Sequence, residues 1–321
     1  MPSPSSALST QRPDLAASME EFDLMMDAQG FIGHRVLPVT PVGAQSGNFG
    51  KIPIEQLLQN RETSRAAGSG YNRGNFTFDP ATYTTMEHGV EEAVDDREAA
   101  MYQNYFDAEV ISTLRARRAI MEAQEKRVAA QIFNATTYTA TTITNEWDDA
   151  ANAVPITDVE SKVQALYGAS GLWPNCMIVN RKVFRNLRNV AQIVDRLKYQ
   201  GFVDVRPETI TTSAMAQVFD IEHLLVAGGT KNTANEGSTA SLSPIWSDEY
   251  CWIGRIATTS DFREPCAGRI FNWTGDGSAE DGLVETYRDE AVRADIVRVR
   301  HDVDEVELHT ACNGIFDNVT T

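Results

Sequence analysis

The sequence has few cysteines and no cysteine pair. Cys176, Cys251, Cys266 and Cys312 stand far apart with no C-x-x-C between them, which argues against a zinc ribbon or a redox motif. Scattered single cysteines suit small buried residues in a reducing cytoplasm. No run of about 18 apolar residues exists, so no segment is suited to span a membrane. The opening MPSPSSALSTQRPDLAASMEEF has neither a basic start nor an apolar stretch, and does not read as a signal peptide. Basic charge is also scarce. Lys and Arg number 28 against 45 Asp and Glu, for a net charge of −17. A protein that grips nucleic acid carries a basic face, and the basic run visible here is RARR at 115–118. Tight, specific DNA binding is not expected. Loose proximity to DNA is compatible with this charge.

Catalytic signatures are missing too. GAQSGNFGK (43–51) has the wrong spacing for a phosphate loop, and Ile52 follows Lys51 where Ser or Thr should stand. GSGYNRG (68–74) displaces the third glycine of a dinucleotide fingerprint, and no amphipathic helix follows it. No G-x-S-x-G elbow occurs. His34, His88 and His223 lack H-x-x-x-H or H-E-x-x-H spacing and read as structural. Nothing marks an enzyme, and no cofactor is implied.

Hydrophobic residues make up 42% of the 321 residues and charged ones 23%. That is a folded chain with room for a large core or for two lobes. Residues 1–18 are rich in Ser, Pro and Ala and read as an extended arm. MEEFDLMMDA (19–28) reads as a short helix. GHRVLPVTPV (33–42) reads as extended, and its prolines exclude it from a sheet centre. From Gly43 to Gly74 the texture is Gly, Ser, Asn and Arg, with few large apolar groups. Such a stretch should protrude as a long hairpin and find partners outside its own core. Phe76 and Phe78 suit the returning strand. A helix follows from Asp107, a candidate N-cap, to Asn134, about 40 Å long. Its apolar stripe is Val110, Leu114, Met121, Val128 and Ile132, with Arg115 outward. Residues 156–227 alternate helices and strands. Thr157 and Glu160 read as a capping box, CMIVN (176–180) as a buried strand, and Asn180 as the cap of the next helix. After a polar loop at 228–241 the chain is mostly strand.

HDVDEVELH (301–309) resembles a metal site at first sight. In DIVRVRHDV the odd positions Val297, Val299, His301 and Val303 face one way. From Val306 the phase flips, which calls for a turn or bulge at 302–305. A straight strand would hold the two histidines about 26 Å apart. The segment therefore reads as an acidic hairpin rather than a metal site, with Arg298 and Arg300 in surface or inter-subunit pairing.

The order of elements is informative: an arm, a protruding Gly/Arg hairpin, a long helix, an α/β insertion, then strands. With WPNCMIVNRKVFRNLRN, ITTSAMAQVFDIEHLLVAGG, SLSPIWSDEYCWIG and YRDEAVRADIVRVRHDVDEVEL, it resembles the major capsid proteins of tailed bacteriophages. The resemblance runs over nearly the whole chain. It implies an α+β Hong Kong 97-like fold: an N-terminal arm at 1–44, an extended E-loop at 45–92, a peripheral domain with a spine helix at 93–155 and 246–321, and an axial domain at 156–245. It implies a shell subunit that self-assembles as hexamers and pentamers in the host bacterial cytoplasm and encloses double-stranded DNA in the virion. An acidic lining suits a container that should not trap its cargo. About 28 residues precede the first extended run, which leaves no room for a fused scaffold, so a separate scaffolding protein is expected. A portal protein and a decoration protein are the other partners implied. No membrane is involved. Inter-subunit contacts are expected from Lys51, Arg61, Arg65, Arg73, Arg298 and Arg300. Some relatives join Lys to Asn covalently. Lys51 is the lysine of this E-loop, with Asn313 and Asn318 as partners by position, but no acid catalyst is marked. An encapsulin-like cellular shell with the same fold is one alternative, and an enzyme with an unrecognised site is the other.

Overall fold

The structure, a computed structural model, describes residues 10–11, 30–51, 53, 56, 58–75, 77, 79–102, 107–199, 206–235, 237–261, 264–279 and 282–320. The helix expected at 19–28, most of the arm, and Phe76 and Phe78 lie outside the described residues. Among the described residues the strands are β1 (Thr10–Gln11), β2 (Val39–Val42), β3 (Ser46–Lys51), β4 (Asp79–Thr84), β5 (Met86–Asp95), β6 (Ala140–Thr142), β7 (Cys176–Asn180) and β8 (His223–Ala227). They continue with β9 (Thr230–Asn232), β10 (Leu242–Pro244), β11 (Cys251–Gly254), β12 (Gly268–Trp273), β13 (Leu283–Asp289), β14 (Ala294–Glu307) and β15 (Gly314–Asp317). The helices are α1 (Gly33–Val36), α2 (Asp96–Tyr102), α3 (Ala108–Ile132), α4 (Pro155–Ser170), α5 (Arg181–Leu187), α6 (Ala191–Tyr199) and α7 (Thr212–Val218).

One sheet runs β1-β13-β14-β12-β2, with β5 added to β14. β14 organises it. β5 pairs along Ala294–Val303, while β13 pairs with Ala294–Arg300 and β12 with Val303–Glu307. β5 therefore lies on one side of β14, and β13 and β12 succeed each other along the other. The β5 register is unbroken across His301, Asp302 and Val303. The turn expected at 302–305 is thus absent, and 301–307 is strand. The phase of burial changes because the neighbours change, not because the chain bends. β2 is an edge strand, where Pro41 withholds no ladder hydrogen bond from a second neighbour. The extended reading of 33–42 holds for 39–42. Gly33–Val36 forms one helical turn instead.

The second sheet runs β6-β15-β11-β7-β8. β7, CMIVN, is wholly buried at its centre, as a continuous β-branched and apolar run requires. This sheet takes β6, β11 and β15 from outside 156–245, so the segment expected as the axial domain does not close on itself. Val159, Val163, Leu187, Met177 and Phe316 lie in one core on this sheet. A second core joins the two sheets, bringing Ile178 and Trp252 together with Val128, Ile132, Ile270 and Val303. All four cysteines are buried and free. No helix of the described residues is long and apolar enough to cross a membrane.

Asp107 caps α3, its side chain accepting from Glu109 N at 3.0 Å and Val110 N at 3.5 Å. The buried face of α3 differs from the expected stripe. Ala116, Arg117, Ile120, Gln124 and Val128 are buried, while Leu114 and Met121 are half-buried. A straight 3.6-residue helix drifts away from a seven-residue repeat, so Leu114, Met121 and Val128 cannot all stay on one inward line. α4 starts at Pro155 rather than at a Thr157 cap. Proline is preorganised for the first helical position, and Thr157 Oγ1 instead accepts from Gln192 Nε2. Asn180 caps α5 through Lys182 N at 2.7 Å.

Candidate functional site

The long loop stands on a fixed base. β3 and β4 pair antiparallel, Ser46 opposite Thr84 and Lys51 opposite Asp79. Phe49 and Tyr83 from the two strands lie on Phe271 of β12, with ring centroids 5.6 and 4.8 Å away. Aromatic contacts at these separations add to the area they bury. Thr84 N donates to Asp304 at 2.7 Å, and the Lys51 ammonium donates to the Leu308 carbonyl. Beyond this base, residues 62–75 are all exposed. Arg65 donates to Ser69 O at 2.6 Å and lies 4.6 Å over the Tyr71 ring. Arg61 packs against Gly74, and Leu58 touches Gly171 at the end of α4. Arg73 is exposed. The loop thus has local order without a core.

The other two candidate arginines have in-chain partners. Arg298 pairs with Glu91 at 2.6 Å and Glu285 at 3.5 Å. Arg300 meets Glu285 at 3.2 Å and also Asp276. Of the six residues expected at inter-subunit contacts, the structure exposes Arg65 and Arg73, half-buries Arg61, ties Lys51 to Leu308 just past β14, and sets Arg298 and Arg300 among carboxylates that include Glu91 of β5 and Glu285 of β13. The Lys51–asparagine pairing gains no support from geometry. Asn313 is buried, donating to His309 O and accepting from Arg255 N, and Asn318 donates to Ile143 O at 3.1 Å.

The acidic run on β14 is a junction. Glu305 takes Arg127 of α3 in a fork of 2.9–3.1 Å, and its carbonyl accepts from Gln131 at 2.6 Å. Such bidentate pairs fix orientation as well as distance. Asp304 holds the loop base, and His301 stands opposite His88 of β5 with ring centroids 5.9 Å apart. Burial raises the Asp302, Asp304 and Glu307 carboxyls above their usual range. Burial, then the Lys51 charge, lowers His309 to about 4. Among the described residues no group of three or more His, Cys, Asp or Glu is placed to hold a metal ion.

One residue escaped the sequence reading. Glu125 of α3 is 4% exposed. Its carboxylate accepts from Trp246 Nε1 at 2.6 Å, Gly33 N at 2.7 Å and Ile32 N at 3.0 Å. It sits at the start of α1, where a negative charge is favoured. Burial raises its pKa against the effect of these donors. The available signal was an acid three residues before Val128, on the face that α3 buries.

No protein-family model matches the chain. The major capsid protein of Pseudomonas phage JBD67 is 25% identical over 253 residues, covering 76% of this chain and 77% of that protein. A crystal structure of a phage-related protein from Bordetella bronchiseptica RB50 matches with a TM-score of 0.71 at 19% identity, over 97% of this chain and 98% of the other. The capsid structure of the Cyanophage P-SCSP1u matches with a TM-score of 0.60 at 11% identity, over 88% and 86%. These structures share the fold described above over most of their length.

Proposed function

We infer that this chain is a phage major capsid protein, a structural subunit of the viral shell. The observation that carries the reading is one of extent: sequence likeness to a phage major capsid protein and fold likeness to a phage capsid both run over most of the chain. The absence of catalytic motifs in the sequence supports a structural rather than an enzymatic role. An encapsulin-like shell would use the same fold, and the sequence likeness favours the phage reading over it.

The finer assignment is Hong Kong 97-like. A long helix lying on a sheet supports it, as does a two-stranded loop rising from that sheet and an α/β lobe on a second sheet. On this reading 1–44 is the arm, 45–92 the E-loop, 93–155 with 246–321 the peripheral domain and 156–245 the axial domain. β6, β11 and β15 complete the axial sheet from the flanking segments. The loop arginines Arg61, Arg65 and Arg73 reach a neighbouring subunit. The same reading assigns a separate scaffold, a portal and packaged double-stranded DNA as partners. It places assembly in the host cytoplasm and the finished protein in the virion. Sedimentation velocity of the purified chain tests this function. Fast, homogeneous particles are expected, and a species that stays monomeric at every concentration, with and without a scaffold supplied, would refute it.

A further inference from the structure

The charge of this chain is not evenly spread. Residues 181–199 hold six Lys and Arg and a single acid, Asp195, a net charge of +5 in a chain of −17. The rest of the chain therefore carries −22. This segment is α5, the turn after it, and α6. Val183, Phe184, Leu187, Ile193 and Leu197 face the core, which turns the cations outward. Arg181 and Arg185 stand at i and i+4 on α5, whereas Arg188, just past its end, is half-buried with its guanidinium 4.5 Å over the Phe184 ring. Arg181, Arg185 and Arg196 are exposed, and among the described residues none of the three has an ion-pair partner in the chain. Like charges at i, i+4 weaken a helix. The Arg181–Arg185 pair therefore does nothing for the stability of the subunit.

An acidic lip adjoins it. Asp148, Asp149 and Glu249 are exposed and Asp248 is half-buried. The lip is built by the chain's end: Trp147 N donates to Val319 O, Val319 N to Glu249 O, and Thr320 Oγ1 to Asp248 O. It is joined to the basic helices at two points. Ala191 N at the start of α6 donates to Ala150 O at 2.9 Å, and Lys182 bonds Asp248 at 2.8 Å. The hydrogen bond to Asp248 raises the Lys182 pKa, and the charges of Asp148 and Glu249 add to it. A single edge of the second lobe thus carries both signs side by side.

We propose that this two-signed edge is a contact surface between copies of the chain, the α5–α6 cations of one subunit meeting the acidic lip of the next. The proposal rests on the shell reading and names one of the surfaces through which the shell would form. A second copy supplies the opposite charge in the right density, because every subunit carries both halves. Two such edges that meet with the signs crossed form a self-complementary two-fold contact. A duplex of DNA fits less well, since the acids beside the cations and the −22 carried elsewhere would repel phosphate. Opposed charges of this kind set register and exclude wrong partners more than they add affinity.

The test is a charge exchange within one chain. Arg185→Glu, Asp148→Arg and the double variant are purified beside the parent, and closed particles are counted by sedimentation and electron microscopy. Arg196→Glu is a second basic-side variant, and circular dichroism and melting temperature report on the fold of each. Each single variant should lower particle yield, by roughly fivefold for a contact worth about 1 kcal/mol. The double variant should recover most of the loss, because each subunit then presents both signs exchanged. Singles that assemble like the parent, or a double variant no better than the worse single, would overturn the proposal. So would singles that close normal shells but retain less DNA, which would assign the edge to nucleic acid. If the parent itself closes no particles, with or without a scaffold supplied, the shell reading fails and takes the proposal with it. If the parent closes and the exchange has no effect, only this surface assignment falls.

Discussion

Glu125 brings together segments that lie 92 to 121 residues away along the chain. One carboxylate satisfies the two backbone donors at the entry of α1 and the indole of Trp246, where the chain re-enters after the polar loop. Each buried donor left without a partner costs about 1–3 kcal/mol. Glu125→Ala should therefore destabilise by about 3 kcal/mol or more. The pH dependence has a definite sign. The folded-state pKa is raised above 4.5, so the folded state holds this proton more tightly than the unfolded one. The associated stability is fully present below pH 4.5 and is lost as pH rises through the folded pKa. Melting temperatures of the parent and of Glu125→Gln, taken from about pH 7 down to below 4.5, should diverge in favour of the parent as pH falls. A constant difference across that range would show that Glu125 does not titrate in the joint. The asparagine and aspartate caps Asn180 and Asp107 were legible in the sequence because a cap acts over two or three residues. Glu125 was not, since its partners are set by tertiary packing and the local pattern shows only an acid on a helix.

At the scale of elements, α3 and the loop carry the argument. Ile120 is 4% exposed and packs with Val94, Val297 and Val299 beneath the sheet, whereas Leu114 is half-buried. Truncating Ile120 to Ala should cost about 2–5 kcal/mol. Leu114→Ala should cost less, and calorimetric melting of the two variants compares them directly. Leu114 as the more damaging site would contradict the face assigned here. The existence of α3, of the buried β7 and of the protruding loop could be read from periodicity and composition. The inner face of α3 could not be read so well, because a seven-residue repeat and a 3.6-residue helix part company over 25 residues. The strand at 301–307 was misread as a bend for a related reason: alternation records burial, and burial on β14 depends on which strand lies alongside. The loop supplies a second test. Its base is held by Phe49, Tyr83, Lys51 and Thr84, none of which lies in 61–73. Deleting 61–73 should leave a soluble subunit with a parental melting temperature that closes no shells. Normal particles from this deletion would remove the loop from the assembly account.

For the molecule as a whole, charge and architecture point the same way. A net charge of −17 leaves most of the surface repulsive to polyanions. Local exceptions are the loop arginines, the exposed Arg115 and Arg118 of α3, and the α5–α6 edge. A phage capsid subunit of mixed α and β structure was legible from the order of elements together with the local sequence matches. The membership of the second sheet was not, because β6, β11 and β15 join it from distant parts of the sequence through pairings that no local pattern encodes. Electron microscopy of the purified chain, concentrated without added partners, tests the central claim most directly. The account predicts closed shells of uniform diameter built from this subunit alone or, with a scaffold supplied, in higher yield. Fields of monomers and small irregular oligomers, unchanged by concentration, salt or added scaffold, would contradict it.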